Sequence, residues 1–456
     1  MIRIKRPPTL ELSKVWPEII DKHSEHFQDY FKLSHITDDS GKYVHYDKLR
    51  YKLLSQKHID PELAWGVIKI VRTSQKIKAF PMGDESELSG FVLTPNIQKA
   101  LSETDRNATT AALEWMTNNI GEEHYLKFLL NDLIEDESIS SSQLEGAATT
   151  TLAAKNIIKK KKKARTMDEK MILGNFKMMQ FAWDNKDKPL SVSMIKKLHH
   201  IGVDGINDDK YTPGVFRKSE DDVVVVDAED NIVHRPPSAD NLEKHFSILI
   251  KWVNTCHDDA GGRDYIHPLI KAIIIHFFIG YEHPFKDGNG RVARSLFYWF
   301  MFKNNYAAFR YIAISTILKQ GAKKYGMSYV HSEMDNLDLT YFIEHQCKVV
   351  LTSINKFKTT YIEAKKTMEE FDRWIWESGL YKKLNENQKV LFSAARNKLE
   401  GTFTAKSVAD RLECSYNTAA AALNGLHELG IFRKRKDGRE YIYSMKSLKS
   451  IREATF

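Results

Sequence analysis

From Thr94-Pro95 onward, apolar residues recur at three- and four-residue steps, the spacing that lines one face of a helix. Ala111, Ala112, Trp115 and Met116 are followed by Tyr125, Phe128, Leu129 and Leu133, with Asp132 among them. The period returns at Met171, Phe176, Met179 and Trp183, in the stretch beginning Ser193-Met-Ile-Lys-Lys-Leu-His-His, and from Leu242 to Trp252. Ile273 to Tyr281 is apolar nearly all round, which predicts a buried central helix. Before residue 95 the apolar runs are short; the clearest start is Asp60-Pro61-Glu62, which reads as a capped helix.

Two segments depart from this period. Val223 to Val226, a polar Asp230-Asn231 turn and Ile232 to His234 predict a β-hairpin that has to lie against the helices, since a lone hairpin is marginal. Beyond a long helical connection, Asn385 to Arg396, Thr404 to Leu412 and Tyr416 to Leu429 predict three helices. Ile431 to Tyr443 then predicts a second hairpin, turning at Lys436-Asp437-Gly438. Helix, turn, helix and basic wing resemble a winged helix-turn-helix. The expected fold is therefore mainly α, divided at 1–94, 95–350, 351–380 and 381–456.

Composition changes this picture little. The 456 residues include 68 basic and 60 acidic ones, a net charge of +8, which raises the question of a nucleic-acid partner without answering it. Five consecutive lysines, Lys159 to Lys163, read as a solvated helix end or loop, with a nucleic-acid arm as the alternative. Cys256, Cys347 and Cys414 fit no metal or disulfide spacing, and no segment approaches the ~18 apolar residues of a membrane span. The amino terminus has no apolar stretch typical of a secretory leader. The expected location is cytoplasmic, with no membrane contact.

The chemistry concentrates after the buried helix. Pro284 ends that helix beside His283, and Lys286 to Arg291 form a polar loop before helical spacing resumes at Val292. A helix start binds anions through unpaired N–H groups and the dipole. Gly288 and Gly290 leave those donors uncovered, and Arg291 and Arg294 add charge. Asp287 makes sense there with a hard divalent cation between it and phosphate. His283 is the side chain suited to take a proton from a hydroxyl.

His283-Pro-Phe-Lys-Asp287-Gly-Asn289-Gly-Arg291-Val-Ala-Arg294 matches HPFx[D/E]GNGRxxR, and on this motif the chain resembles the Fic family over roughly residues 95–350. The resemblance implies a protein adenylyltransferase that moves AMP from ATP to a Ser, Thr or Tyr hydroxyl. In it His283 is the base, Asp287 holds Mg²⁺ or Mn²⁺, and Gly288, Asn289, Gly290 and Arg291 bind phosphate, with Arg294 on the γ-phosphate. A lysine in place of Gly290 marks a kinase-like branch, so the glycine favours AMP transfer; phosphocholine transfer remains a further branch.

Ser141-xxx-Glu145-Gly146 resembles the family's inhibitory motif [S/T]xxxE[G/N], placing a brake helix at about 135–146 with Glu145 on Arg294. Val223, Val224, Val225 and Val226 would form the flap that docks a target segment by strand addition. Tyr325 would contact the nucleotide's ribose or adenine, or pack internally. The partners implied are ATP and a protein target, including the chain itself. The carboxy-terminal module leaves DNA, another protein or a homodimer open, through Asn417 and Thr418 and through Arg433, Lys434, Arg435, Lys436 and Arg439. The alternative is a nucleotide-sensing transcriptional regulator acting through that module.

Overall fold

The computed structural model describes residues 4–83, 88–120, 135–159, 164–208, 211–226, 229–259, 265–396, 402–437 and 440–454. Tyr125, Phe128, Leu129, Asp132, Leu133, Lys160 to Lys163, Gly438 and Arg439 lie outside the described residues. The fold is mainly α, with three two-stranded antiparallel sheets among the described residues. Two compact units divide it: residues 1–110 with 134–354, and residues 111–133 with 355–456. The long helix Thr340–Glu377 contributes to both.

Residues before 95 form a layer that the broken hydrophobic pattern left undefined. Helices Leu12–Lys22, Phe27–Phe31, Tyr46–Lys52 and Pro61–Ser74 enclose a small core of Val15, Ile19, Tyr30, Trp65 and Val67. The expected cap is present: the Asp60 carboxylate accepts from the Glu62 and Leu63 N–H groups. A short sheet, Ile77–Pro81 with Leu88–Phe91, follows. The layer is tied to the later helices by buried polar contacts. Tyr43 donates to Asp338 at 2.6 Å, Lys69 pairs with Asp335 at 2.9 Å, and Arg72 donates to the Tyr341 hydroxyl at 3.1 Å.

The central helix spans Pro268–Glu282, and ten consecutive side chains, Ile270 to Ile279, are buried. Its lack of a polar face is satisfied by neighbours on every side rather than by water. Asn289–Lys303 runs back beside it, also buried through Val292 to Phe302. Met167–Asp184 and Val192–Val203 pack on that second helix.

Of the four valines in the first predicted hairpin, Val225 and Val226 pair, with Ile232–His234, and the register slips between the two. Val223 and Val224 precede the strand, because Asp222 in a left-handed conformation turns the chain just before them. In the second unit, Glu386–Arg396, Ala405–Arg411 and Tyr416–Glu428 pack around Leu391, Phe392, Val408, Leu423 and Leu426. The hairpin Phe432–Asp437 with Glu440–Met445 lies on this core through Phe432 and Tyr443. No helix among the described residues is long and apolar enough to cross a membrane.

Candidate active site

The motif occupies the turn between the two central helices. His283 caps the first helix in a left-handed conformation, φ 47° and ψ 57°, costly for a residue with a Cβ. Gly288 caps the second at φ 82°, where a glycine has no such cost. Asn289 holds the loop between them: its Oδ1 accepts from the Phe285 N–H at 2.9 Å, and its Nδ2 donates to the Phe285 carbonyl at 2.8 Å. Sequence reasoning puts Asn289 among the phosphate donors; in the structure its side-chain amide is engaged by both backbone groups of Phe285.

Arg217, which sequence reasoning missed, secures the left-handed turn. Its guanidinium donates to the carbonyls of His283 at 2.8 Å, Pro237 at 2.6 Å and Glu282 at 3.1 Å. Its backbone N–H reaches the Pro284 carbonyl at 2.8 Å. The bonds to Glu282 and His283 satisfy carbonyls that the end of a helix leaves open. Its position, 66 residues before His283 and outside any periodic pattern, gives no sequence signal.

His283 Nδ1 lies 3.2 Å from the Gly280 carbonyl. A carbonyl only accepts, so the proton sits on Nδ1 and Nε2 carries the lone pair. Burial pushes this imidazole down to about 4, so it is neutral near pH 7.

A second missed histidine buttresses the loop from outside. His199 stacks on Phe285, with centroids 3.8 Å apart and planes 6° apart. Its Nδ1 accepts from the Gly214 N–H at 3.0 Å, which leaves Nε2 to donate to the Asp287 carbonyl at 3.0 Å. Asp287 also faces the Tyr211 hydroxyl; burial and the Asp287 charge push that phenol up to about 12. Lys286 turns away to pair with Asp221 at 2.6 Å. His234, at the end of the short flap strand, bonds the Tyr281 carbonyl at 2.7 Å and Glu333 at 2.8 Å. This hairpin is thereby fastened two residues from His283, while Val226, Ile232 and Val233 remain exposed.

Arg291 and Arg294 are both 1 % exposed. Arg291 Nη1 donates to the Gly202 carbonyl at 2.9 Å, whereas its Nε and Nη2 have no hydrogen-bond partner among the described residues. Such buried donors are rare without a reason and suit an anion. With the N–H groups at the start of Asn289–Lys303 they fit phosphate oxygens. Asp287, partly exposed, is a carboxylate that could hold a divalent cation, which would need oxygens from substrate and water besides.

Arg294 is engaged by residues 135–144, which are helical. Its Nε donates to Ser141 Oγ at 2.8 Å and its Nη2 to the Ser141 carbonyl at 3.1 Å. The same Nη2 meets Glu145 Oε1 at 2.8 Å. Glu145 sits in the turn that closes the helix, and Gly146 follows at φ 97°. Burial pushes the Glu145 carboxyl up, but Arg294, Arg291 and His283 outweigh it and leave it below the usual range. A Cβ built on Gly290 would stand 2.2 Å from Glu145 Oε1. The carboxylate thus lies directly over the loop, against the residue that lacks a side chain.

Glu137, a turn earlier, accepts from the Ser315 N–H at 2.8 Å and from its hydroxyl, anchoring this helix in the core. Tyr325 joins the buried polar network instead of standing alone. Its hydroxyl is 2.8 Å from His276 Nε2 and also interacts with Arg294.

Residues 189–301 match the model of the Fic/DOC family. A curated relative, the protein adenylyltransferase Fic of Nematostella vectensis, is 36% identical over 63 residues. That match spans 14% of this chain and 14% of the relative's length. Among solved structures, a Fic family protein from Desulfovibrio desulfuricans G20 aligns at TM-score 0.48 and 17% identity, over 78% of this chain and 98% of its own. Fic-1 (aa134–508) from C. elegans aligns at TM-score 0.45 and 15% identity, over 79% and 90%.

Proposed function

We propose that this chain transfers AMP from ATP to a Ser, Thr or Tyr hydroxyl of a protein, and that Glu145 restrains the transfer at rest. The observation that carries the reading is one short turn that joins a histidine with its Nε2 lone pair available to Arg291 donors without partners. His283 Nε2 takes the proton of the incoming hydroxyl. The oxygen bonds to the α-phosphorus while the bond from that phosphorus to the oxygen bridging the β-phosphate breaks, and pyrophosphate leaves. Arg291, the N–H groups of Asn289 and Gly290, and Arg294 once freed stabilise the negative charge that develops, the Gly288 N–H being taken by the Asp287 carboxylate. Mg²⁺ or Mn²⁺ held by Asp287 would supply charge neutralisation between phosphates.

With Glu145 in place, Arg294 is committed to it and to Ser141, and a carboxylate stands where phosphate charge would come. The exposed Val226, Ile232 and Val233 give the flap an apolar edge to lay a target segment along. Tyr325 is assigned to support Arg294 from within.

The test incubates wild type, Glu145→Gly and Glu145→Gly/His283→Ala with labelled ATP and Mg²⁺, alone and in lysate. Label on protein is expected to rise in the first variant and vanish in the second. Equal labelling of all three would sink the reading.

A second reading concerns residues 381–456, which we propose form a winged helix binding duplex DNA. It rests on the exposure of Arg433 and Arg435 along one strand of the hairpin. Lys434 is instead drawn to Asn424 at 2.8 Å and over the Tyr441 ring. A DNA mobility shift that weakens with salt and disappears in Arg433→Ala/Arg435→Ala supports it; no shift at low salt removes it. A His283→Ala variant impaired only in DNA binding would favour the regulator over the transferase.

A further inference from the structure

Away from the motif, the amino-terminal layer brings three metal-ligating side chains together from two separate segments. His26 and Asp29 come from the turn and short helix around Phe27–Phe31, and His58 from the turn preceding Pro61–Ser74. Their ligand atoms all lie within 4.8 Å of one another. His58 Nε2 is 3.3 Å from Asp29 Oδ2, and the two imidazole rings have centroids 4.4 Å apart. A tetrahedral ion with bonds of about 2.0 Å has ligands about 3.3 Å apart, so the His58 and Asp29 atoms already stand at ligand spacing.

We infer that His26, Asp29 and His58 bind one divalent d-block cation of the zinc class. Two imidazoles and one carboxylate suit that class, whereas Mg²⁺ and Ca²⁺ favour oxygen ligands. Lys32 occupies Asp29 Oδ1 at 2.9 Å, which leaves Oδ2 toward the histidines. Glu25 Oε1, 3.5 Å from His26 Nε2, stands beside the group as a further oxygen donor; water is the alternative for the fourth position.

The segments are already held in place without an ion. The Asp60 N–H donates to the Tyr30 hydroxyl at 2.7 Å, and Tyr30 lies fully within the layer's core. Binding therefore needs side-chain adjustment and little backbone movement. The ion would clip the 26–29 segment to the base of Pro61–Ser74, the helix that carries Lys69 and Arg72 to Asp335 and Tyr341. Its expected effect is on the thermal stability of this layer.

The experiment uses the full-length chain without an affinity tag, carrying Asp287→Ala so that the motif's carboxylate does not contribute. Equilibrium dialysis against ZnCl₂ in excess Mg²⁺ is expected to give one zinc per chain and a rise in Tm. His26→Gln and His58→Gln are each expected to weaken binding at least about tenfold and to abolish the Tm rise. Asp29→Asn provides a third variant if a histidine change alters the metal-free melt. Co²⁺ should give the intense visible absorption of a tetrahedral site in the parent and not in the variants. Zinc binding undiminished in both histidine variants, or no zinc bound by the parent, overturns the site whatever the transferase assays give.

Discussion

Arg294 and Glu145 meet at 2.8 Å, with the arginine side chain 2 % exposed and the carboxylate 23 %. The arginine also holds Ser141 twice, so one guanidinium joins the motif helix to the end of the 135–144 helix. Removing the carboxylate leaves a buried cation short of one charged partner. Glu145→Gly is therefore expected to lower stability by about 1.5–3 kcal/mol, the usual worth of a hydrogen bond to a charged group. The same change is expected to tighten ATP by about tenfold or more, because Arg294 and the space over Gly290 become available. Calorimetric titration with ATP and Mg²⁺ beside thermal melts checks both; unchanged affinity would mean that Glu145 does not compete with nucleotide.

Gly290 and Glu145 should be energetically coupled. Alanine at 290 would place its Cβ 2.2 Å from Glu145 Oε1 and 2.9 Å from Cδ. In the wild type Gly290→Ala is expected to lower Tm; in Glu145→Gly the contact is gone and the loss should shrink. A double-mutant cycle on thermal stability reads this directly, and additive effects would count against the placement of the carboxylate.

Arg217 bonds the backbone carbonyl of His283, so its effect on the proposed transfer should run through that residue. Arg217→Lys keeps a charge but cannot span the carbonyls of Glu282, His283 and Pro237 together. In the Glu145→Gly background it is expected to reduce kcat by about 10- to 100-fold through misplacement of the base, with the KM for ATP changed less than about threefold. A KM that rises in step with the fall in kcat would place Arg217 in nucleotide binding instead.

The pH profile follows from His283. In the proposed transfer the neutral imidazole is the working form, and burial holds its pKa near 4. The acidic limb of kcat/KM should therefore fall near pH 4, not near the ordinary histidine value of about 6.5. Replacing Glu145 removes a charge that raises this pKa, so the limb should not move upward in Glu145→Gly. In stability the sign is the same. As pH falls from about 6.5 toward about 4, the unfolded chain takes up a proton that the folded one refuses, and this group's contribution is lost. Rate profiles and melts from about pH 3 to 8 check both.

The sequence by itself determined the helical class, the buried run before His283 and the composition of the polar loop. These are local matters: hydrophobic period, a proline stop and glycines at a helix start act within a few residues of each other. It also marked Ser141 and Glu145 through a short motif, though their placement on Arg294 depends on a contact spanning about 150 positions of chain. Only the tertiary structure decided that Asn289 spends its amide on Phe285, that Arg217 and His199 buttress the loop, and that Tyr325 lies in a network with His276. Hydrogen bonds between distant segments leave no period in a sequence. The valine run marked the hairpin but not where pairing starts, since strand length is set by the partner, and of the four valines Val225 and Val226 pair. The pairing of Arg294 with Glu145 draws on both levels: the residue types were legible, and the fold alone brought them to 2.8 Å.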